Sequence, residues 1–167
     1  RKIIYYAPSP FNVQSSKIVL LNKKSHHLLW TTIVEEFLKK NNNGDLLDSD
    51  KARIKREDKA YGTILFYKDE RVIEEFKEKL DAYEQKSLDS WCIEESAMLQ
   101  MNIWNELRLR NIGAHIVHFD DIDEEVSVAF DIDKNYKLVA MMVFGNIIQE
   151  AAVKPKKDID KRFIDID

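Results

Sequence analysis

The sequence of 167 residues contains little cysteine, glycine or proline, and it has no long apolar run. Its single cysteine, Cys92, excludes an internal disulfide framework and is typical of a reducing compartment; we expect it to be a buried, inert thiol. Four glycines and three prolines argue against a loop-rich fold. No apolar segment approaches the length of a membrane-spanning helix, and no secretory signal opens the chain. We therefore expect a cytoplasmic protein.

The charge of the chain is nearly balanced. A formal net charge of −4 gives no electrostatic reason to expect a nucleic acid or an anionic membrane surface as a partner, so we expect neither. Hydrophobic residues make up 44% of the chain, which is long enough for one domain with a substantial core. No internal repeat or low-complexity segment divides it, and we expect a single domain over residues 1–167.

Apolar patterns predict four strands that alternate with helices. The strands are expected at 17–22, 61–67, 114–119 and 136–144, the first two of them buried. Helices are expected at 1–6, from Ser25 as N-cap to about 40, over 69–86, from Ser90 as N-cap over about 91–111 with Gly113 as its stop, and over 121–130. Residues 45–60 are expected to be partly helical and the tail 147–167 irregular. Strands separated by helices favour a sheet covered on both faces.

Two features of the helices bear on assembly and on the start of the chain. The predicted helix 91–111 places Trp91, Met98, Met101 and Trp104 on a broad apolar surface, which favours a homodimer with a large apolar interface. The opening residues RKIIYY resemble the end of a helix without its start signal. We therefore expect further residues before Arg1 in the full protein.

The junction, which we define as residues 7–16 (APSPFNVQSS), holds more polar groups than a turn requires. Its two prolines restrict the residues before them to extended conformations. In an extended segment Asn12 and Gln14 point to the same side, and together with Ser9 they offer hydroxyl and amide groups able to bind a flat polar ring edge. An ordinary helix-to-strand connection is the competing interpretation, and composition alone favours it.

The histidine and acidic motifs favour structural roles over a metal site. His115 and His118 lie three residues apart in a predicted strand, so their side chains face opposite sides and do not easily chelate one ion. The pair 26–27 lies in the first turn of a predicted helix, where we expect both histidines to be solvated. The acidic run 120–125 lacks the glycine and the ligand spacing of a calcium loop, and it suits the start of a helix. We predict no metal site.

Four segments, taken in order, resemble one protein family. They are APSPFNVQSSKIVLL, AYGTILFYKDE, SWCIEESAMLQMNIWNELRLRNIGAHIVHFDDIDEEV and YKLVAMMVFGN. Together they cover most of residues 3–146 and are similar to the flavin-dependent nitroreductases, in particular the branch called fatty-acid-repression-mutant-like. The Pro-Ser-x-x-Asn-x-Gln junction and the MLQ…W…GA…H block are its more specific parts.

This resemblance implies an α+β homodimer with a central, mainly antiparallel or mixed sheet of four or five strands flanked by helices. It implies that each of two sites binds FMN at the subunit interface and that NADH or NADPH is the reductant. The flavin pocket would be lined by Pro8, Ser9, Pro10, Asn12 and Gln14, a segment that in this family often reaches the flavin of the partner subunit. Further contacts would come from Arg53 at the pyrimidine end of the ring, from main-chain N–H groups of His115, Ile116, Val117 and His118 near its N5 atom, and from Lys161 and Arg162 to the phosphate.

The function implied by the resemblance is the reduction of nitroaromatics or quinones in ping-pong order, as in a response to oxidative or nitro-compound stress. The flavin carries the chemistry, so no catalytic side chain is required. Two departures from the family pattern stand out: the sequence begins at Arg1, without the arginine-rich segment with which relatives usually open, and position 115 is His where relatives commonly carry a small residue. They keep open a second function, a non-catalytic flavin-fold dimer that acts through partner contacts.

Overall fold

The computed structural model describes residues 1–119, 121–158, 160 and 162–166. Its helices are α1 (Lys2–Tyr5), α2 (Lys23–Leu28), α3 (Val34–Asn41), α4 (Asp48–Glu57), α5 (Glu70–Lys77), α6 (Ala82–Leu109) and α7 (Asp123–Phe130). A 3₁₀ turn, Pro10–Asn12, precedes the first strand, and a π-helical turn, Leu29–Ile33, joins α2 to α3. The strands are β1 (Ser16–Asn22), β2 (Gly62–Asp69), β3 (Ile112–Val117) and β4 (Tyr136–Asn146).

The four strands form one sheet in the order β1-β2-β4-β3, and every neighbouring pair is antiparallel. This confirms the predicted α+β class and the mainly antiparallel sheet. β2 lies in the centre and is buried along nearly its whole length, as its continuous apolar run predicts. β1 is not the buried strand that its sequence indicated. It lies at one edge of the sheet, and most of its residues are half-buried.

Helices cover both faces of the sheet because the side chains of β2 alternate between two cores. On one face, Ile64 and Phe66 pack against Leu99 of α6. On the other face, Leu65 and Tyr67 pack with residues of the π-helical turn, α3, α4 and α7. The start of β2 leaves no room for a side chain: a Cβ at position 62 would lie 2.5 Å from the carbonyl oxygen of Leu21, so glycine is required there.

The predicted helix over 69–86 and the predicted N-cap Ser90 are both wrong. α5 stops at Lys77, and α6 begins well before Ser90 because Asp81 and Glu84 form a reciprocal capping box. The carboxylate of Asp81 accepts from the N–H of Glu84 at 2.9 Å, and the carboxylate of Glu84 accepts from the N–H of Asp81 at 3.1 Å. These bonds pair N–H groups that the start of a helix otherwise leaves free.

Two other helix signals are displaced in the structure. Ser25 is not an N-cap: α2 follows Asn22, and the hydroxyl of Ser25 accepts from the N–H of Asn22 at 3.1 Å. Gly113 does not stop α6, because it lies inside β3. The helix ends at Leu109, and the left-handed residue that follows is Asn111, with φ of 57°. Asparagine tolerates this conformation better than other residues that have a side chain.

The two adjacent histidines have different environments. His27 is exposed, but His26 is buried, so the expectation that both are solvated is wrong for His26. Its Nε2 lies 3.0 Å from the carbonyl oxygen of Glu57, and its Nδ1 lies 3.0 Å from Oγ1 of Thr63. Oγ1 of Thr63 also accepts from Nε1 of Trp30 at 3.0 Å. Because a carbonyl only accepts, Nε2 carries the proton and Nδ1 accepts from the hydroxyl.

We expect His26 to make stability fall in mild acid. Burial lowers the pKa of His26 from its ordinary value of 6.5. As pH falls below 6.5, the unfolded chain binds a proton that the native chain does not, so the free energy of unfolding decreases. The variant His26→Gln should be less stable at neutral pH but should lose less stability between about pH 6.5 and 5.

Urea denaturation at stepped pH measures this slope. The variant His27→Gln is the matched control, since His27 is exposed, and it should retain the wild-type slope. A wild-type slope in His26→Gln would show that another group causes the acid dependence.

Candidate functional site

The predicted site residues form two groups at opposite edges of the sheet. The junction precedes β1, whereas His115–His118 lie in β3 and directly after it. β2 and β4 separate these two strands, so the edges are about 14 Å apart at a normal strand spacing. One chain therefore does not bring the two groups together.

The junction is a tight turn rather than the extended segment that its sequence indicated. Ser9 is extended, as the following proline requires, but Phe11, Asn12 and Gln14 have φ of 48°, 60° and 54°. The N–H of Asn12 donates to the carbonyl of Ser9 at 3.1 Å, and the N–H of Gln14 donates to Oγ of Ser9 at 3.2 Å. The hydroxyl of Ser9 therefore serves the turn, while the amide side chains of Asn12 and Gln14 are exposed.

A buried carboxylate on α6 fixes the end of the junction. Glu95 is only 3% exposed; its Oε2 accepts from Oγ of Ser15 and its Oε1 from the N–H of Ser16, each at 3.0 Å. Glu95 also lines a cleft of about 710 Å³ together with Asn12 and Gln14. The start of β1 is thus bound to α6 directly beside the amide side chains.

At the opposite edge, a cation and main-chain groups lie side by side. Arg53 of α4 lies over the ring of Phe119, 4.4 Å from the ring centroid. Ile116 packs on the α6 side of the sheet and Val117 in the opposite core, so these two residues present only main-chain groups to a ligand. The side chain of His118 is exposed.

A second buried carboxylate, that of Glu57 at the end of α4, lies beside β3. Glu57 is 1% exposed; its Oε1 accepts from Nε of Arg56 at 3.0 Å, and its Oε2 lies 3.0 Å from Nε2 of His115. Nε2 of His115 is buried and forms no hydrogen bond at this approach. Burial raises the pKa of Glu57, but contacts with His115 and Arg56 outweigh it and leave this pKa lowered. Glu57 is therefore ionised near neutral pH.

A groove of about 910 Å³ runs beside His115, and we call it the His115 groove. Its rim carries three further cations, Arg56, Lys59 and Arg108, and Arg108 pairs with Glu150 at 3.2 Å. The side chain of His115 is 46% exposed at this groove. The groove thus combines an accessible imidazole with a basic rim.

The remaining predictions concern the tail, the thiol and metals. Arg162 is exposed in the tail, whereas Lys161 lies outside the described residues. Cys92 is buried and burial raises its pKa, which confirms the buried thiol. Among the described residues, no three His, Cys, Asp or Glu side chains are grouped so that they could hold a metal ion. No helix in the described part of the chain is long and apolar enough to cross a membrane.

A family model described as "Nitroreductase family" matches residues 1–146. The chain belongs to the nitroreductase family. This confirms the resemblance seen in the sequence. Residues 1–146 include the junction, Arg53 and His115–His118. The predicted site residues at both edges of the sheet therefore lie within the family match.

Solved nitroreductases have the same fold as this chain. Nitroreductase CinD from Lactococcus lactis, in complex with nicotinic acid, superposes with a TM-score of 0.91 at 27% identity over 99% of this chain and 84% of CinD. A nitroreductase from Saccharomyces cerevisiae gives a TM-score of 0.72 at 21% identity over 88% of this chain and 78% of that chain. The Saccharomyces cerevisiae protein HBN1 is 27% identical over 88 residues, which are 53% of this chain and 45% of HBN1. That match spans less than half the length of HBN1.

The sequence analysis did not predict the buried carboxylates Glu95 and Glu57, although the sequence pattern around Glu95 could have indicated it. Glu95 lies three residues after Cys92 and four before Leu99, on the buried face of the helix that contains them. A charged residue on a buried face requires a partner, so this position could have been singled out. Glu57 left no such signal, because its partner His115 lies 58 residues further along the chain.

We expect Glu95→Gln to loosen the junction. The amide keeps one acceptor but directs an N–H₂ group at a second donor, so the free energy of unfolding should fall by about 1–3 kcal/mol. Glu94→Gln is the matched control, since the neighbouring side chain is exposed, and it should be nearly neutral. Urea denaturation measures both variants, and equal stabilities would show that Glu95 does not anchor β1.

Proposed function

We propose that this nitroreductase-family chain is an FMN-dependent NAD(P)H oxidoreductase that reduces nitroaromatics or quinones as a homodimer. The observation that carries the proposal is the family match over residues 1–146, which includes both edge groups. The acceptor class is supported by solved complexes of CinD with chloramphenicol and with 4-nitrophenol, both of which are nitroaromatic. A reducing compartment, as the single cysteine indicates, suits such an enzyme.

The residues present fit the chemistry of a flavin. The exposed carboxamide of Asn12 offers both a donor and an acceptor to the polar edge of the ring. The guanidinium of Arg53 lies over Phe119, and no carboxylate of the described residues lies within ion-pair distance of it. It is therefore available to stabilise the negative charge that reduction places on the N1–O2 edge.

Each group has a distinct task in this proposal. When bound, FMN would supply hydride transfer between NAD(P)H and the acceptor. The main chain at His115–His118 would orient the ring, because its side chains at 116 and 117 are committed to the two cores. Arg53 would favour the reduced state, and Asn12 would bind the ring edge. Arg162, in the exposed tail, would reach the phosphate as in relatives; the same role for Lys161 remains a prediction.

A homodimer is proposed because the two groups lie at opposite edges of the sheet. The junction of one subunit would complete the site at the β3 edge of its partner. α6 offers an apolar surface for this contact, since Ile93, Met98 and Met101 are exposed along it. Light scattering at micromolar concentration should give the mass of a dimer, and a stable monomer would contradict this part of the proposal.

The proposed activity is tested on the full-length protein. We expect purified protein to be yellow, to gain thermal stability with added FMN, and to oxidise NADH or NADPH with menadione or a nitroaromatic acceptor well above the rate of free FMN. A colourless protein that gains no stability from FMN would contradict the proposal. Flavin binding without turnover would instead favour the non-catalytic dimer.

Asn12→Asp tests the role of the junction. The substitution removes the amide donors and adds a negative charge beside a ring that becomes negative on reduction. FMN binding should weaken by about 1–3 kcal/mol, roughly 5- to 150-fold in Kd, and the midpoint potential should fall. The melting temperature without FMN should barely change, because the side chain is exposed.

Asn43→Asp is the matched control for Asn12→Asp. Asn43 is also exposed and left-handed, with φ of 54°, but it lies in the turn after α3. It should leave FMN affinity unchanged. If Asn12→Asp keeps its FMN affinity while the protein without FMN melts early, Asn12 serves the turn alone.

A further inference from the structure

We propose that His115, oriented by Glu57, is a proton donor to the acceptor substrate in the His115 groove. This inference rests on the proposed function and adds a catalytic side chain to it. The two ring nitrogens of His115 lie in different surroundings.

The ring of His115 has one buried nitrogen and one that is free. Nε2 is buried and lies 3.0 Å from Oε2 of Glu57. Nδ1 forms no hydrogen bond within the described part of the chain, and the side chain is 46% exposed. A carboxylate beside one nitrogen orients the ring and leaves the other nitrogen directed at solvent and the groove. This is the arrangement of an oriented acid–base histidine.

The orientation of this pair is fixed by the elements around it. Thr63, Val143 and His115 occupy one row across β2, β4 and β3, so their side chains share a face of the sheet. On that face Glu57 is held twice: its carboxylate accepts from Arg56, and its main-chain carbonyl accepts from Nε2 of His26. The carboxylate therefore cannot turn away from His115 without breaking its bond with Arg56, and the bond with His26 fixes the main chain that carries it.

The charged groups around the ring come from three parts of the chain. α4 contributes Arg56 and Glu57, and Lys59 follows it; α6 contributes Arg108, and the tail contributes Glu150. Arg56 pairs with Glu57, and Arg108 pairs with Glu150. Glu57 is thus the carboxylate that directly contacts His115, while the net positive rim favours an acceptor that becomes anionic as it is reduced.

The proposed step balances for a quinone acceptor. Reduction of a quinone to a hydroquinone takes up one hydride and one proton. The hydride would be supplied by the reduced flavin of the proposed function, which would be oxidised. His115 supplies the proton: its Nδ1–H bond breaks, an O–H bond forms on the quinone oxygen, and the imidazolium becomes neutral. Solvent then returns a proton to the half-exposed ring.

His115→Gln is tested with two acceptors that differ in proton demand. Menadione requires a proton during reduction, whereas ferricyanide takes single electrons and requires none. We expect the variant to lose about 10²- to 10⁴-fold in kcat/KM with menadione and to keep the wild-type rate with ferricyanide. His27→Gln is the matched control, since His27 also contacts a carboxylate, that of Asp58 at 2.7 Å, but on the exposed surface of α2.

A binding measurement gives a readout apart from activity. 4-Nitrophenolate presents an anionic oxygen like that of a reduced quinone, whereas nitrobenzene has no such oxygen. We expect oxidised wild-type holoprotein to bind 4-nitrophenolate at least ten-fold more tightly than His115→Gln, and the two proteins to bind nitrobenzene equally. Equal loss of both ligands would show that His115 only shapes the groove.

Glu57→Gln tests the positioning residue. Loss of the carboxylate should lower kcat/KM with menadione by a larger factor than the rate with ferricyanide and should weaken binding of 4-nitrophenolate more than binding of nitrobenzene, whereas a purely structural role would affect all four alike. If this variant fails to fold, the two measurements on His115→Gln still decide the inference. Wild-type protein that reduces neither acceptor contradicts the proposed function itself, whereas equal effects of His115→Gln on both acceptors contradict the inference alone.

Discussion

The buried carboxylate of Glu57 joins three elements of this fold. A charge at 1% exposure is strongly unfavourable unless cations and hydrogen bonds compensate for it. Arg56 supplies an opposite charge, the imidazole of His115 lies 3.0 Å from the carboxylate, and the main-chain carbonyl of Glu57 accepts from His26. α4 is thereby tied to both α2 and β3. Because Arg53 lies one turn before Glu57 on α4, the placement of its guanidinium over Phe119 depends on the same anchor.

The order of the strands imposes a second constraint. An antiparallel sheet with β2 and β4 in the centre separates the junction from residues 115–118 within one chain. The two groups have complementary chemistry: neutral amides before β1, and a cation with main-chain groups at β3. In the proposed dimer, a site that uses both groups would combine residues of two copies of the chain. The exposed apolar residues of α6 are consistent with such an assembly.

The sequence predicted the features of the fold that depend on local apolar pattern. All four strands lie close to their predicted ranges, and so does α7, because period-2 and period-3.6 patterns are local. The predictions were wrong where polar contacts, rather than apolar pattern, determine where an element begins or how the chain turns. α6 begins after the capping box of Asp81 and Glu84, not after Ser90. The junction is a turn with left-handed residues, whereas its prolines indicated an extended segment. The contacts of Glu57 with His26 and His115 were beyond prediction, because they join residues that are distant in sequence.

His26 and His115, which both contact Glu57, differ in how deeply they are buried and therefore in what their ring nitrogens can do. His26 uses both ring nitrogens within the core, so it has no free nitrogen and burial keeps it neutral. His115 lies at the edge of the sheet, where one nitrogen contacts Glu57 and the ring reaches solvent. An arginine at position 115 would compensate Glu57 permanently but could not release a proton. The buried carboxylate that stabilises α4 therefore also requires a titratable partner if the edge is to exchange protons with a ligand.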